Sequence, residues 1–156
     1  MAAALLTAIL ASITGITAAI YLGYSSATSA ALAQHISIGI FSTMVTLLAH
    51  SMTMFYFLGK GKAVREAAAE GGLSKEFERR IAVVRGPVFS AATVAMVATM
   101  VTALLGASVD TGMVPPSVHA ILAFLCLLAN LRAVQLEIKA LAASARVVAE
   151  VNHLLQ

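Results

Sequence analysis

The sequence predicts an all-α integral membrane protein, a bundle of four spanning helices, and three observations carry that reading. Of 156 residues, 60% are hydrophobic and only 11% charged, with a mean hydropathy of +0.94; ordinary soluble domains are about a quarter charged. Four apolar stretches, at about 4–24, 30–58, 87–107 and 117–136, each reach the roughly 20 residues that cross a bilayer core. Their charged residues lie at the ends.

The elements follow in order. The first stretch lacks the basic segment that opens a secretory signal and outruns the usual apolar core of one, so it is expected to be a retained helix. The second continues through the helix-forming run from Lys62 to Glu70 until Gly71-Gly72 stops it. Ser74 is placed to cap a new helix with Glu76 and Glu78 in its first turn, where the helix dipole favours acids. That helix should run over 75–85 and meet the third span at Gly86-Pro87 with a kink or a short break. Pro115-Pro116 announces the fourth, with Ser117 as its expected cap. Past Glu137 this helix should run on to about Leu155, adding about 25 Å. Its seam is expected on Leu141, Ala145, Val148, Asn152 and Leu155, either packing within the chain or docking a partner. The domain reading is therefore one unit over 1–156, with a cytoplasmic helical hairpin at 59–86 and a helical extension at 137–156.

Basic residues set the expected orientation. Lys60, Lys62, Arg65, Lys75, Arg79, Arg80 and Arg85 lie between spans two and three, and Arg132, Lys139 and Arg146 at or beyond the end of span four. The other connections carry no Lys or Arg. The positive-inside rule then places both termini in the cytoplasm, and the alanine-rich composition suits a bacterial inner membrane. The net charge of +3 reflects this topology and gives no reason to expect nucleic acid. The single cysteine, Cys126, supports neither a disulfide nor a thiolate cluster and reads as a small packing residue. No phosphate loop, Ser-His-Asp set or zinc spacing is present, so an enzyme-linked role would be that of an electron-transfer subunit in an oxidoreductase complex.

The chemistry-bearing signal is a pair of histidines. At about 100° per residue, His35, Gly39, Ser42, Thr46, His50 and Thr53 share one stripe of span two. His119, Ala123, Cys126, Asn130 and Glu137 share one stripe of span four, while Phe41, Leu47, Leu48, Phe124 and Leu128 fall mostly off both. Small and polar stripes face other helices in a membrane. His35 and His119 both begin descending helices, so they should meet at one depth near the outer face, with His50 about 22 Å below. Ionisable side chains at such depth mark ligands, relays or substrate paths, and two facing imidazoles suit haem iron. The expected site is a haem b ligated by His35 and His119, with Gly39 and Ala123 clearing the macrocycle. Without Lys or Arg nearby, Tyr24, Ser26, Thr28 or water would meet its propionates. A further inner ligand pair would be His50 with Met96.

The spacing of His35 and His50 resembles one helix of the cytochrome b family, in which paired histidines on two helices hold two haems, one above the other. Span four matches at His119 and departs at Val134, which cannot ligate the inner haem. The resemblance implies a small membrane cytochrome or cytochrome-like subunit.

Other readings stay open. Each histidine can simply be a hydrogen-bonded packing residue; for His50 that is the favoured reading, with Asn130 or Glu137 as partner, and His153 reads as solvated. Alternatively, His50, Asn130, Glu137 and Thr53 form a pocket for a proton or a quinone head group, though Glu137 alone reads more simply as a solvated acid facing Arg132 and Lys139. Met96 and Met100 resemble the methionine step of copper permeases, with Met44, Met52 and Met54 on span two. A cofactor-free accessory or scaffold subunit of a larger membrane complex is the non-redox alternative. The chain is also expected to be a homo-oligomer or such a subunit, and span two's small-residue face would let His35 meet its own symmetry mate.

Overall fold

The computed structural model describes residues 2–25 and 28–156 and contains four helices: α1 (Ala2–Tyr24), α2 (Ser29–Glu70), α3 (Glu76–Asp110) and α4 (Pro116–Leu154). Each is long and apolar enough to cross a membrane. Neighbours in sequence pack side by side, α4 closes the ring against α1, and α2 meets α4 across the centre. Among the described residues α1 and α3 do not touch. The short diagonal of the bundle is therefore α2 against α4, the two helices that carry the polar stripes.

Residues with no wish to be buried in oil decide the packing. Ser42, Thr46, His50 and Thr53 of α2 and Cys126, Asn130 and Glu137 of α4 are all buried, while Phe41, Leu48, Phe124 and Leu128 stand on the surface. That inversion of a soluble core is the membrane pattern, in which lipid takes the large apolar side chains and the interior takes small and hydrogen-bonding ones. Thr46 and Thr53 donate to the carbonyls of Ser42 and Ala49 one turn back, which satisfies their hydroxyls inside the helix.

Beyond the apolar stretches α2, α3 and α4 continue together as a stalk. Val64, Phe77, Ile81, Val147 and Val151 form its core. The seam of α4 therefore runs through Leu141, Ser144, Val147 and Val151; of the expected positions Leu141 is buried, Val148 packs against this core and Leu155 lies over Gly71, while Ala145 and Asn152 face outward. Phe77 and Ile81 on α3 set this register, since α3 offers them on the side where α4 must pack. The stalk packs on itself along this seam.

Two local expectations are refined. Of the kink or short break expected at Gly86-Pro87, the break does not form, and α3 runs on through both residues. Proline removes only one ladder bond there, and Val88 and Ala92 just beyond it are buried in the same bundle, so packing outweighs the local penalty. α4 starts at Pro116 with Pro115 as its cap, which puts Ser117 inside the first turn. Elsewhere local chemistry holds: Gly71 ends α2 and Gly72 takes φ +64°. Ser74 Oγ accepts from the Glu76 amide at 3.2 Å as α3 begins. One turn on, the Arg79 guanidinium bonds Glu76 and holds its carboxyl below the ordinary range.

Candidate functional site

The diagonal between α2 and α4 holds two histidine sites, one near the α1–α2 and α3–α4 connections and one deeper in the bundle. At the loop end His35 and His119 face each other with ring centroids 6.1 Å apart and planes at 77°. Both are half-buried. Each ring rests on a glycine of a neighbouring helix: a methyl group added at Gly23 of α1 would stand 3.1 Å from His35 Cε1, and one added at Gly106 of α3 would stand 2.9 Å from His119 Cε1. A methyl group at Gly106 would force the His119 ring to shift, and one at Gly23 would need the His35 ring to give by a few tenths of an ångström.

The His35 ring also meets a backbone carbonyl four residues before its glycine: Nδ1 lies 2.9 Å from the Ala19 carbonyl, to which it must donate. At His119 the corresponding backbone is that of Thr102, beside the ring but without a hydrogen bond of ordinary geometry to Nδ1. Both hairpins set a glycine against a histidine early in the following helix, and the first completes the bond to a carbonyl. What remains on each ring is a nitrogen without a protein partner. His35 Nε2 makes no hydrogen bond among the described residues, and His119 Nδ1 is buried with none. A ring nitrogen that donates to a carbonyl leaves its opposite lone pair ready for a metal.

Sequence reasoning missed Ala19, Gly23, Thr102 and Gly106. The signal was there, since α1 and α3 each carry a glycine near their ends, Gly23 one residue and Gly106 four residues before the last helical residue, with a histidine early in the next helix. A methyl group placed at Gly39 would meet nothing within 4 Å. Ala123 is half-buried one turn below His119. Thr28 caps α2 through the Ala31 amide, Tyr24 is exposed against Phe124, and Ser26 lies outside the described residues.

The deeper site is His50, wholly buried. Its Nδ1 is 2.8 Å from Glu137 Oε1 and its Nε2 is 2.9 Å from Asn130 Oδ1. Asn130 Nδ2 in turn donates to the Cys126 carbonyl at 2.8 Å and to Thr99 Oγ1 at 3.1 Å. Glu137 is therefore no solvated acid facing Arg132 and Lys139, because it is wholly buried and turned to the opposite face, towards α2. His50 and Met96 do not pair, since both ring nitrogens are taken and Met96 Sδ accepts from Ser51 Oγ at 3.7 Å. Thr53 is buried nearby and spends its hydroxyl on its own helix. A quinone head group has no approach to His50 without parting α2 from α4.

The remaining candidates do not converge. Met44, Met52 and Met100 are exposed on the bundle surface, and among the described residues no group of three or more His, Cys, Asp or Glu is arranged to hold a metal ion. His153 is exposed near the end of α4. Comparison with family models, with curated proteins and with solved structures finds no match to this chain. What the coordinates define is a four-helix bundle with candidate membrane spans and two internal histidine sites.

Proposed function

We propose that the protein is a small membrane b-type cytochrome or cytochrome subunit, with His35 and His119 as the axial ligands of one haem near the outer face of a bacterial inner membrane. The observation that carries this is the pair of glycine-seated imidazoles 6.1 Å apart, each with one ring nitrogen that no described residue bonds. Metal–imidazole bonds of about 2 Å hold the centroids of two axial rings roughly 6 Å apart, close to the observed 6.1 Å. Haem would supply one-electron transfer, held by His35 and His119, with Ala19 and Gly23 behind the first ring and Gly106 behind the second. Basic residues cluster at the stalk end, which supports an orientation with the stalk and both termini in the cytoplasm.

An absorption spectrum of the protein purified from cells supplied with haem precursor tests the reading. A Soret band that sharpens with α and β bands on reduction supports it. A colourless preparation rejects it and leaves the cofactor-free scaffold reading, which the self-packed three-helix stalk favours as a rigid lever below the membrane.

A further inference from the structure

We propose that the cleft between α2 and α3 at the base of the stalk binds the phosphate group of an anionic phospholipid. The site rests on the four helices spanning a membrane and needs no haem.

Two clefts open on the stalk, and they treat their basic residues differently. The larger, about 460 Å³ between α3 and α4, carries three arginines, of which two are already spent. Arg79 pairs with Glu76 at 2.9 Å and Arg80 with Glu150 at 2.7 Å, which leaves Arg146. The smaller, about 240 Å³ between α2 and α3, is lined by Lys62, Arg65 and Arg85, with Glu78 as its one acid. Among the described residues Arg65, Arg85 and Glu78 make no ion pair, and Lys62 meets only Glu66 one turn on, at 3.8 Å with both side chains exposed. Three cations thus face one carboxylate across a walled space, and the excess attracts an anion.

The cleft is shaped around Arg85. This side chain leaves α3 and reaches α2, where its Nη1 would stand 3.6 Å from a methyl group placed at Gly61. Its guanidinium carbon lies 5.6 Å from the centre of the Phe89 ring, one turn towards the membrane. Half-buried between these supports, the guanidinium is ordered before a ligand arrives. Its planar fork matches two oxygens of a phosphate at once. Gly61 keeps the floor open, since any side chain longer than a methyl group there would project into the space beside Arg85.

Depth selects the kind of anion. The apolar stretch of α2 ends at Leu58 and that of α3 begins at Pro87. Gly61 and Arg85 lie three and two residues beyond those points, within about 5 Å along each helix axis. Lipid headgroups occupy that layer, which adds roughly 5–8 Å to each side of the hydrocarbon core. Leu58, 44% exposed, lines the cleft, and Phe55, three residues nearer the membrane centre, is 71% exposed. A phosphate held by Arg65 and Arg85 therefore has apolar surface beside it for acyl chains. Free phosphate makes no use of that surface; a phospholipid uses both parts.

Lys60 supplies the contrast. It sits at the depth of Gly61 but outside the cleft, with its ammonium 5.8 Å from the centre of the Tyr56 ring. Diffuse attraction to an anionic surface would count Lys60 and Arg65 alike, whereas a built site counts only the second.

The test is native mass spectrometry of the full chain, titrated in detergent with dioleoyl phosphatidylglycerol or, separately, with dioleoyl phosphatidylcholine. The first phosphatidylglycerol is expected to bind about tenfold or more tighter than the first phosphatidylcholine. Arg65→Gln and Arg85→Gln should each weaken it about fivefold, and Gly61→Leu, which fills the floor without changing charge, should weaken it as well. Glu78→Gln should tighten it. Lys60→Gln, the same loss of charge at the same depth, should leave the preference unchanged, and inorganic phosphate should not displace the bound lipid. Equal affinity for the two lipids, an equal loss in Lys60→Gln and Arg65→Gln, or displacement by inorganic phosphate would each overturn the proposal. Arg65→Gln and Lys60→Gln leave the buried core untouched, so their comparison stays decisive if Gly61→Leu does not fold.

Discussion

The two histidine sites on the α2–α4 diagonal differ in how many of their nitrogens are already occupied. At the loop end, His35 and His119 are half-buried and each keeps one nitrogen outside the protein's hydrogen-bond network. Fifteen residues further along α2, His50 is wholly buried with both nitrogens bonded. A metal needs a free lone pair; a proton site or a packing lock needs saturated ones. Proximity alone would have ranked the deeper site first, because its distances are shorter. Counting free lone pairs reverses that ranking.

The comparison can be broken most sharply at the loop end. His35→Ala and His119→Ala should each abolish haem absorption, while His153→Ala, exposed near the end of α4, should leave it intact. Retention of the full spectrum in either ligand variant would erase the difference between the sites. The next largest effect belongs to the deeper site. Glu137→Leu strands His50 Nδ1 in a dry interior and should lower stability by about 3–5 kcal/mol, as removing one member of a buried pair does. Glu137→Gln should cost only about 1 kcal/mol, since its amide can donate to Nδ1 while Nε2 still donates to Asn130. Thermal unfolding in detergent separates the two substitutions, and equal losses would refute the pairing of His50 with Glu137.

A smaller effect tests the seats. Gly106→Ala should push the His119 ring, lowering haem occupancy and costing about 1–3 kcal/mol, whereas Gly39→Ala meets nothing within 4 Å in the protein and should leave melting unchanged. The smallest effect lies in the stalk. Arg80 Nη1 and Glu150 Oε2 are 2.7 Å apart in an exposed pair, so Arg80→Ala should cost under about 1 kcal/mol and less still at high salt. A loss of several kcal/mol there would mean that the stalk depends on charge rather than on Val64, Phe77 and Ile81.

Much of this architecture is legible in the sequence because membrane helices obey few rules. Length and hydropathy locate the four helices, and the 3.6-residue period puts His35, Thr46, His50, Asn130 and Glu137 on inward stripes, where the structure has them. Single-helix periodicity cannot supply the rotation between helices, and that is where expectation and structure part. A rotation of a few tens of degrees moves the stalk seam of α4 from Ala145 and Asn152 to Ser144 and Val151. The glycine seats were hidden for the same reason: Gly23 and Gly106 matter through what the neighbouring helix places over them. The continuity of α3 through Pro87 shows packing outweighing a local breaker, which no local rule anticipates.

The most direct measurement is the electron paramagnetic resonance spectrum of the oxidised, haem-loaded protein in its native lipid. Axial ligation by His35 and His119 predicts a low-spin ferric signal from a six-coordinate centre, lost when either imidazole is replaced. A high-spin signal in the native chain, or a low-spin signal that survives the loss of His119, would contradict it.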